Sequence, residues 1–172
     1  MKRREALQNI AFISVGAALL PACDFASVPV YSNIPMERKQ WRMVEWLSEI
    51  VLPKGELEIT TPETTSEFVL RMVNDCHEPE DIEKYVAGIQ GFEQYLQETF
   101  ETSFKRLDEE QTTKLLSQLD ESTTVPEDIK YLYSTTRRLA QQHFTSSEFF
   151  LTEYLDFEFV PGRYLGCVPV AG

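Results

Sequence analysis

Apolar residues spaced three or four apart run through most of this chain, and that period admits helices and little else. The longest stripe is Ile82, Tyr85, Val86, Ile89, Phe92, Leu96 and Phe100, one apolar face held over about five helical turns. Ahead of it, Trp41, Val44, Leu47, Ile50 and Val51 fill the gaps left by a polar stripe of Arg38, Arg42, Glu45 and Glu49, until Pro53-Lys54-Gly55 stops the pattern. Residues 56–65 read as a loop. Phe68, Met72 and Cys76, with Val69 and Val73, then repeat at four-residue spacing, and Thr64 with Glu67 fits a capping box at the start. Pro79 stands where a first helical position tolerates it. Asp108 with Gln111 starts a helix carrying Leu115, Leu116 and Leu119. Pro126 opens another, with Ile129, Leu132, Tyr133, Thr136 and Leu139, that runs to about His143. Ser146 with Phe149, Phe150 and Tyr154 predicts a last short helix. From Phe157 to Tyr164 the period is lost, so this stretch reads as an extended C-terminal arm. The predicted fold is all-α, a single compact domain of about six helices plus that arm.

The head of the chain follows other rules. Lys2-Arg3-Arg4, the apolar run Ile10 to Leu20, and Leu20-Pro21-Ala22-Cys23 have the layout of a secretory signal. The run is too short to span a bilayer, which needs roughly 18 apolar residues. Leu20-Pro21-Ala22-Cys23 resembles the lipobox of bacterial lipoproteins, which makes Cys23 the lipidation site and the mature N-terminus. Arg3-Arg4 resembles a twin-arginine signal, which exports folded proteins. The competing reading is an ordinary positive n-region, since Glu5-Ala6-Leu7 departs from the usual x-Phe-Leu. The expected organisation is a signal over 1–22, a lipid-anchored tether over 23–34 with Pro29, and a helical domain over 35–172. Asp24 resembles an inner-membrane retention signal, so the expected location is the periplasmic side of a bacterial membrane, with the inner membrane favoured.

Charge narrows the partners. The 172 residues hold 16 basic and 28 acidic side chains, and removing residues 1–22 leaves 13 against 27, a net charge of −14. A body this acidic repels nucleic acid and anionic headgroups, so membrane attachment is expected through the lipid. With Cys23 lipidated, Cys76 and Cys167 remain, and a pair in an oxidising compartment is a candidate disulfide. Such a bond would close a long loop and contribute about 4–5 kcal/mol on the chain-entropy model. Two free thiols, or a bridge to a partner subunit, are the alternatives.

Chemistry-bearing constellations are sparse. Gly88 and Gly91 lie inside the long helical stripe, where close packing against a neighbouring helix explains them better than a phosphate loop does. Neither His77 nor His143 has a second ligand at metal-binding spacing. Asp75, Cys76 and His77 are adjacent, but neighbours on a helix point about 100° apart and do not converge. The expected arrangement turns Cys76 inward and leaves Asp75 and His77 at the helix end, where a protonated His77 suits the dipole. The acidic pairs Glu80-Asp81 and Asp120-Glu121 read as dipole-complementing or solvated groups. Eleven Phe, seven Tyr and two Trp exceed what a modest core must have, so some can serve an interface. No catalytic, cofactor-binding or metal-binding residue is assigned.

At the C-terminus, Val160-Pro161-Gly162-Arg163-Tyr164-Leu165-Gly166-Cys167-Val168-Pro169 resembles the closing motif of the gluconate 2-dehydrogenase subunit 3 family. Arg3-Arg4-Glu5-Ala6-Leu7, Ile50-Val51-Leu52-Pro53, Phe68-Val69 with Asn74-Asp75-Cys76, Phe104 with Leu107, and Phe144-Thr145-Ser146-Ser147-Glu148 are similar to it in the same order. The resemblance implies a role as the small subunit of a membrane-associated sugar or sugar-acid dehydrogenase. It implies a large partner of the glucose–methanol–choline type that carries FAD, and electron exit through a cytochrome c. It further implies that the small subunit bears the export signal for both, which favours the twin-arginine reading of Arg3 and Arg4. Within that frame Cys76 and Cys167 would tie the arm to the body, and Pro161, Gly162, Arg163 and Tyr164 would complete the core or face the flavoprotein. Arg163 is the preferred interface residue, a salt bridge to a local acid being its alternative. Against this non-catalytic reading stand a free-standing periplasmic lipoprotein that binds a small ligand or envelope partner, and an enzyme in its own right.

Overall fold

The computed structural model describes residues 30–52, 61–155, 157–158 and 162, and every regular element among them is helical. The helices are α1 (Arg38–Ile50), α2 (Thr65–Cys76), α3 (Pro79–Phe100), α4 (Glu109–Glu121), α5 (Glu127–Thr145) and α6 (Glu148–Tyr154), with a 3₁₀ turn at Phe104–Arg106 between α3 and α4. The all-α architecture expected from the period is the one observed. Local chemistry sets the boundaries. At α2 the Glu67 amide donates to the Thr64 hydroxyl (3.3 Å) while the Glu67 carboxylate accepts from the Thr64 amide (2.9 Å). Asp108 and Gln111 do the same at α4, at 2.7 and 3.2 Å. Two otherwise orphaned amides are satisfied at each start, worth about 1 kcal/mol per cap. Pro79 is the first residue of α3, and Pro126 stands one place before α5. The long α3 stops at Glu101, a non-glycine residue in the left-handed region (φ 54°), whose amide reaches back to Gln97 O at 3.1 Å.

α5 is the hub, packing against α1, α2, α3, α4 and α6. Its seam with α3 is the closest. A Cβ on Gly88 would lie 2.5 Å from the Asp128 carbonyl oxygen and 2.7 Å from Leu132 Cβ, so only glycine lets the two backbones approach this far. Gly91, a turn further on, meets nothing nearer than 4.0 Å; close packing explains Gly88 and not Gly91. Beside Gly88 the fully buried Tyr85 hydroxyl pairs with Thr136 Oγ1 at 2.9 Å, one polar link in an apolar contact. Burial pushes the Tyr85 phenol up, so it stays a neutral hydroxyl. Val69, Leu70 and Val73 of α2 and Met43, Val44 and Leu47 of α1 close the core on the other side.

The packed body begins inside the stretch read as tether. Ile34 is 1 % exposed and belongs to the core. Asn33 is stapled to the end of α2 by two bonds, its amide to Asn74 Oδ1 (2.9 Å) and its side chain to Asn74 O (3.0 Å). Among the described residues, no helix is long and apolar enough to cross a membrane.

Candidate functional site

A cluster of exposed apolar side chains sits beyond the C-terminal end of α5. α5 ends at Thr145, the chain turns through Ser146, and Ser147 caps α6: its hydroxyl donates to Phe144 O (2.7 Å) and accepts from the Phe150 amide (3.2 Å). α6 is seven residues long and buries none of them, although three of the seven are aromatic and one is leucine. The rings pack on one another. Phe144 and Phe150 lie 5.0 Å apart, Phe150 stacks on Tyr154 at 5.7 Å, and Phe149 meets Tyr154 edge-on at 6.0 Å. The Phe157 amide then bonds to Leu151 O (2.9 Å), folding the chain back over the helix. A recess of about 410 Å³ opens there, lined by Ser146, Glu148, Leu151, Thr152 and Phe157. Tyr154, Leu155 and Phe157 are 51, 58 and 47 % exposed, and the acids Glu148, Glu153 and Glu158, exposed as well, flank them along the chain.

A helix that spends its aromatics on each other and on solvent has the composition of an interface core within a polar rim. The aromatic excess in the sequence is the signal for it. Periodicity alone does not find it, because a stripe of Phe and Tyr reads equally as core.

Of the expected site residues, Arg3, Arg4, Cys23, Pro161, Arg163, Tyr164 and Cys167 lie outside the described residues. Gly162 is exposed, with nothing within 4 Å of where a Cβ would stand. Cys76, expected to turn inward, is instead exposed, with a free thiol at the last position of α2; its proposed partner Cys167 is outside the described residues. His77 does cap α2, but its surroundings disfavour the dipole-stabilising cation. Burial, then the nearby Arg138 guanidinium, lower its pKa against the opposing pull of Asp81. Among the described residues, no group of three or more His, Cys, Asp or Glu side chains is placed to hold a metal ion.

No curated protein and no solved structure matches the chain. A family model described as gluconate 2-dehydrogenase subunit 3 matches residues 38–162, from the first residue of α1 through the α6 face to the start of the C-terminal motif. Covering well over half of the sequence and the six helices described above, that match places the chain in the gluconate 2-dehydrogenase subunit 3 family.

Proposed function

We propose that this chain is a non-catalytic accessory subunit that escorts, exports and membrane-anchors an FAD-dependent sugar or polyol dehydrogenase. The observation that carries the reading is the family match over residues 38–162, whose description names a dehydrogenase subunit. In this reading FAD and the substrate pocket belong to the large subunit, and electrons pass on to a cytochrome c. Arg3 and Arg4 send the pair out folded, because a flavoprotein that takes up FAD in the cytoplasm crosses the membrane with its cofactor in place. Acylated Cys23 holds the pair at the periplasmic side of the membrane, the buried CH₂ groups of its chains contributing about 0.8 kcal/mol each. The α6 face receives the flavoprotein: Tyr154, Leu155 and Phe157 enter an apolar depression, and Glu148, Glu153 and Glu158 meet cationic residues around it. Pro161, Gly162, Arg163 and Tyr164 follow that face directly in sequence and extend the contact.

The test is a gentle pull-down of the full-length chain from membranes. The expected companion is a yellow flavoprotein of roughly three times its mass, with dehydrogenase activity that the isolated small subunit lacks. Recovery of the lipoprotein alone, under conditions that keep other membrane complexes together, overturns the reading.

A further inference from the structure

The chain has two histidines, and both sit on the same helix–helix contact, one toward each end of α2 where it meets α5. We infer that the α2–α5 seam is a proton-sensitive catch, closed while His77 and His143 are neutral and loosened when acid protonates them.

The geometry at His77 demands the neutral ring. Arg138 Nη2 lies 3.2 Å from His77 Nε2, and a guanidinium can only donate, so Nε2 must present its lone pair. The remaining ring proton then sits on Nδ1, which is buried without a hydrogen-bond partner among the described residues. Protonating Nε2 removes this bond between the α2–α3 corner and α5, and sets an imidazolium against a guanidinium. Nearby carboxylates offset the new charge only in part: Asp81 favours the imidazolium but is outweighed by burial and Arg138 together. Asp81 of α3 pairs with Lys84 at 3.6 Å, and Asp75 accepts from the Asn74 side chain at 2.7 Å. Glu83 of α3 lines a surface recess together with Asp75 and His77.

His143 makes the second contact. It is 6 % exposed, stacked on Phe68 (4.8 Å, 29°), with Nδ1 at 3.2 Å from the Thr65 hydroxyl. Burial lowers its pKa, opposed only by Glu63, and Glu63 is itself paired with Arg71 at 2.7 Å. The Thr65 hydroxyl can accept as well as donate, and the Phe68 face tolerates a cation. His77 therefore carries the larger share of the response. Because α5 runs from His143 straight into Ser147 and α6, a loosened seam slackens the footing of the aromatic face. In the exported location proposed above, the catch would make subunit docking respond to the acidity outside the cytoplasmic membrane.

The experiment is amide hydrogen exchange on the full chain from about pH 7.5 to about pH 5.5, corrected for intrinsic rates, with ring C–H NMR titration of both histidines. Protection in α2 and in the His143 end of α5 is expected to fall about three- to tenfold as His77 protonates, with a smaller further loss from His143. The α3–α5 seam around Gly88 and Tyr85 should keep its protection. His77→Gln with His143→Gln should abolish the selective loss. If that double variant does not fold, His77→Gln alone should remove the greater part, and Arg138→Gln should raise the His77 titration midpoint. Loss of protection spread evenly over all helices, pH-independent protection, or an unchanged acid response in the glutamine variants overturns the inference. None of these readouts involves the flavoprotein, so a failed pull-down and a failed catch are separate outcomes.

Discussion

Gly88 and Gly91 are two glycines one turn apart with opposite expected behaviour. Gly88→Ala puts a methyl 2.5 Å from a backbone carbonyl that cannot yield cheaply, so it should cost about 1–3 kcal/mol through overpacking of α3 on α5. Gly91→Ala meets only an ordinary van der Waals contact, Ile129 Cδ1 at 4.0 Å, and should stabilise by roughly 0.5–1 kcal/mol, the helix-propensity gain alone. Urea midpoints of the two variants check the pair; equal shifts would mean that α3 and α5 are not this close. Tyr85→Phe strands the Thr136 hydroxyl in the core and should cost about 1–2 kcal/mol, whereas adding Thr136→Val should recover part of that loss. Much of this scale was legible in the sequence, since glycine inside an apolar helical stripe already signals close approach. Which of the two glycines makes the approach depends on where α5 crosses, and only the assembled fold supplies that. Cys76 departs from its expected inward position for a related reason. Steps of four residues drift about 40° each around a helix, so the line Phe68, Met72, Cys76 leaves the buried face, which is centred on Val69, Leu70 and Val73.

Helix starts were readable because capping boxes are local: Thr64 with Glu67 and Asp108 with Gln111 act within one turn. The α6 face was readable only as a surplus of aromatics, because deciding between core and interface requires knowing what covers the helix. If this face receives the partner, Tyr154→Ala with Phe157→Ala should weaken capture of the flavoprotein about tenfold or more, roughly 1.4 kcal/mol. The variant's own unfolding midpoint should stay within about 0.5 kcal/mol, since both side chains are already exposed. Equal losses of stability and binding would return these rings to the core. The α2–α5 contact predicts a pH dependence with a definite sign. Both histidines have folded-state pKa values lowered from the ordinary 6.5, so the unfolded chain binds more protons in the window just below that value. Stability should therefore be full above about pH 6.5 and decline as pH falls toward the folded values. Urea midpoints across that range should show the decline, and His77→Gln should flatten it.

At the scale of the molecule, the family match runs from α1 to Gly162, while the features that set its proposed destination, Arg3, Arg4 and Cys23, precede the packed body. That division explains why the sequence was most informative at its two ends. The address and the C-terminal motif are written in contiguous residues, but the buried Ile34 and the His77–Arg138 contact arise only when distant segments meet. A body with a net charge of −14 once residues 1–22 are gone, carrying an exposed aromatic face at α6, fits a subunit tethered by lipid and docked through a protein contact. The most direct test is the location of the flavoprotein in cells whose copy of this chain carries Arg3→Lys and Arg4→Lys. Retention of active, FAD-loaded dehydrogenase in the cytoplasm together with this subunit is the predicted result; normal delivery of the dehydrogenase to the membrane would contradict it.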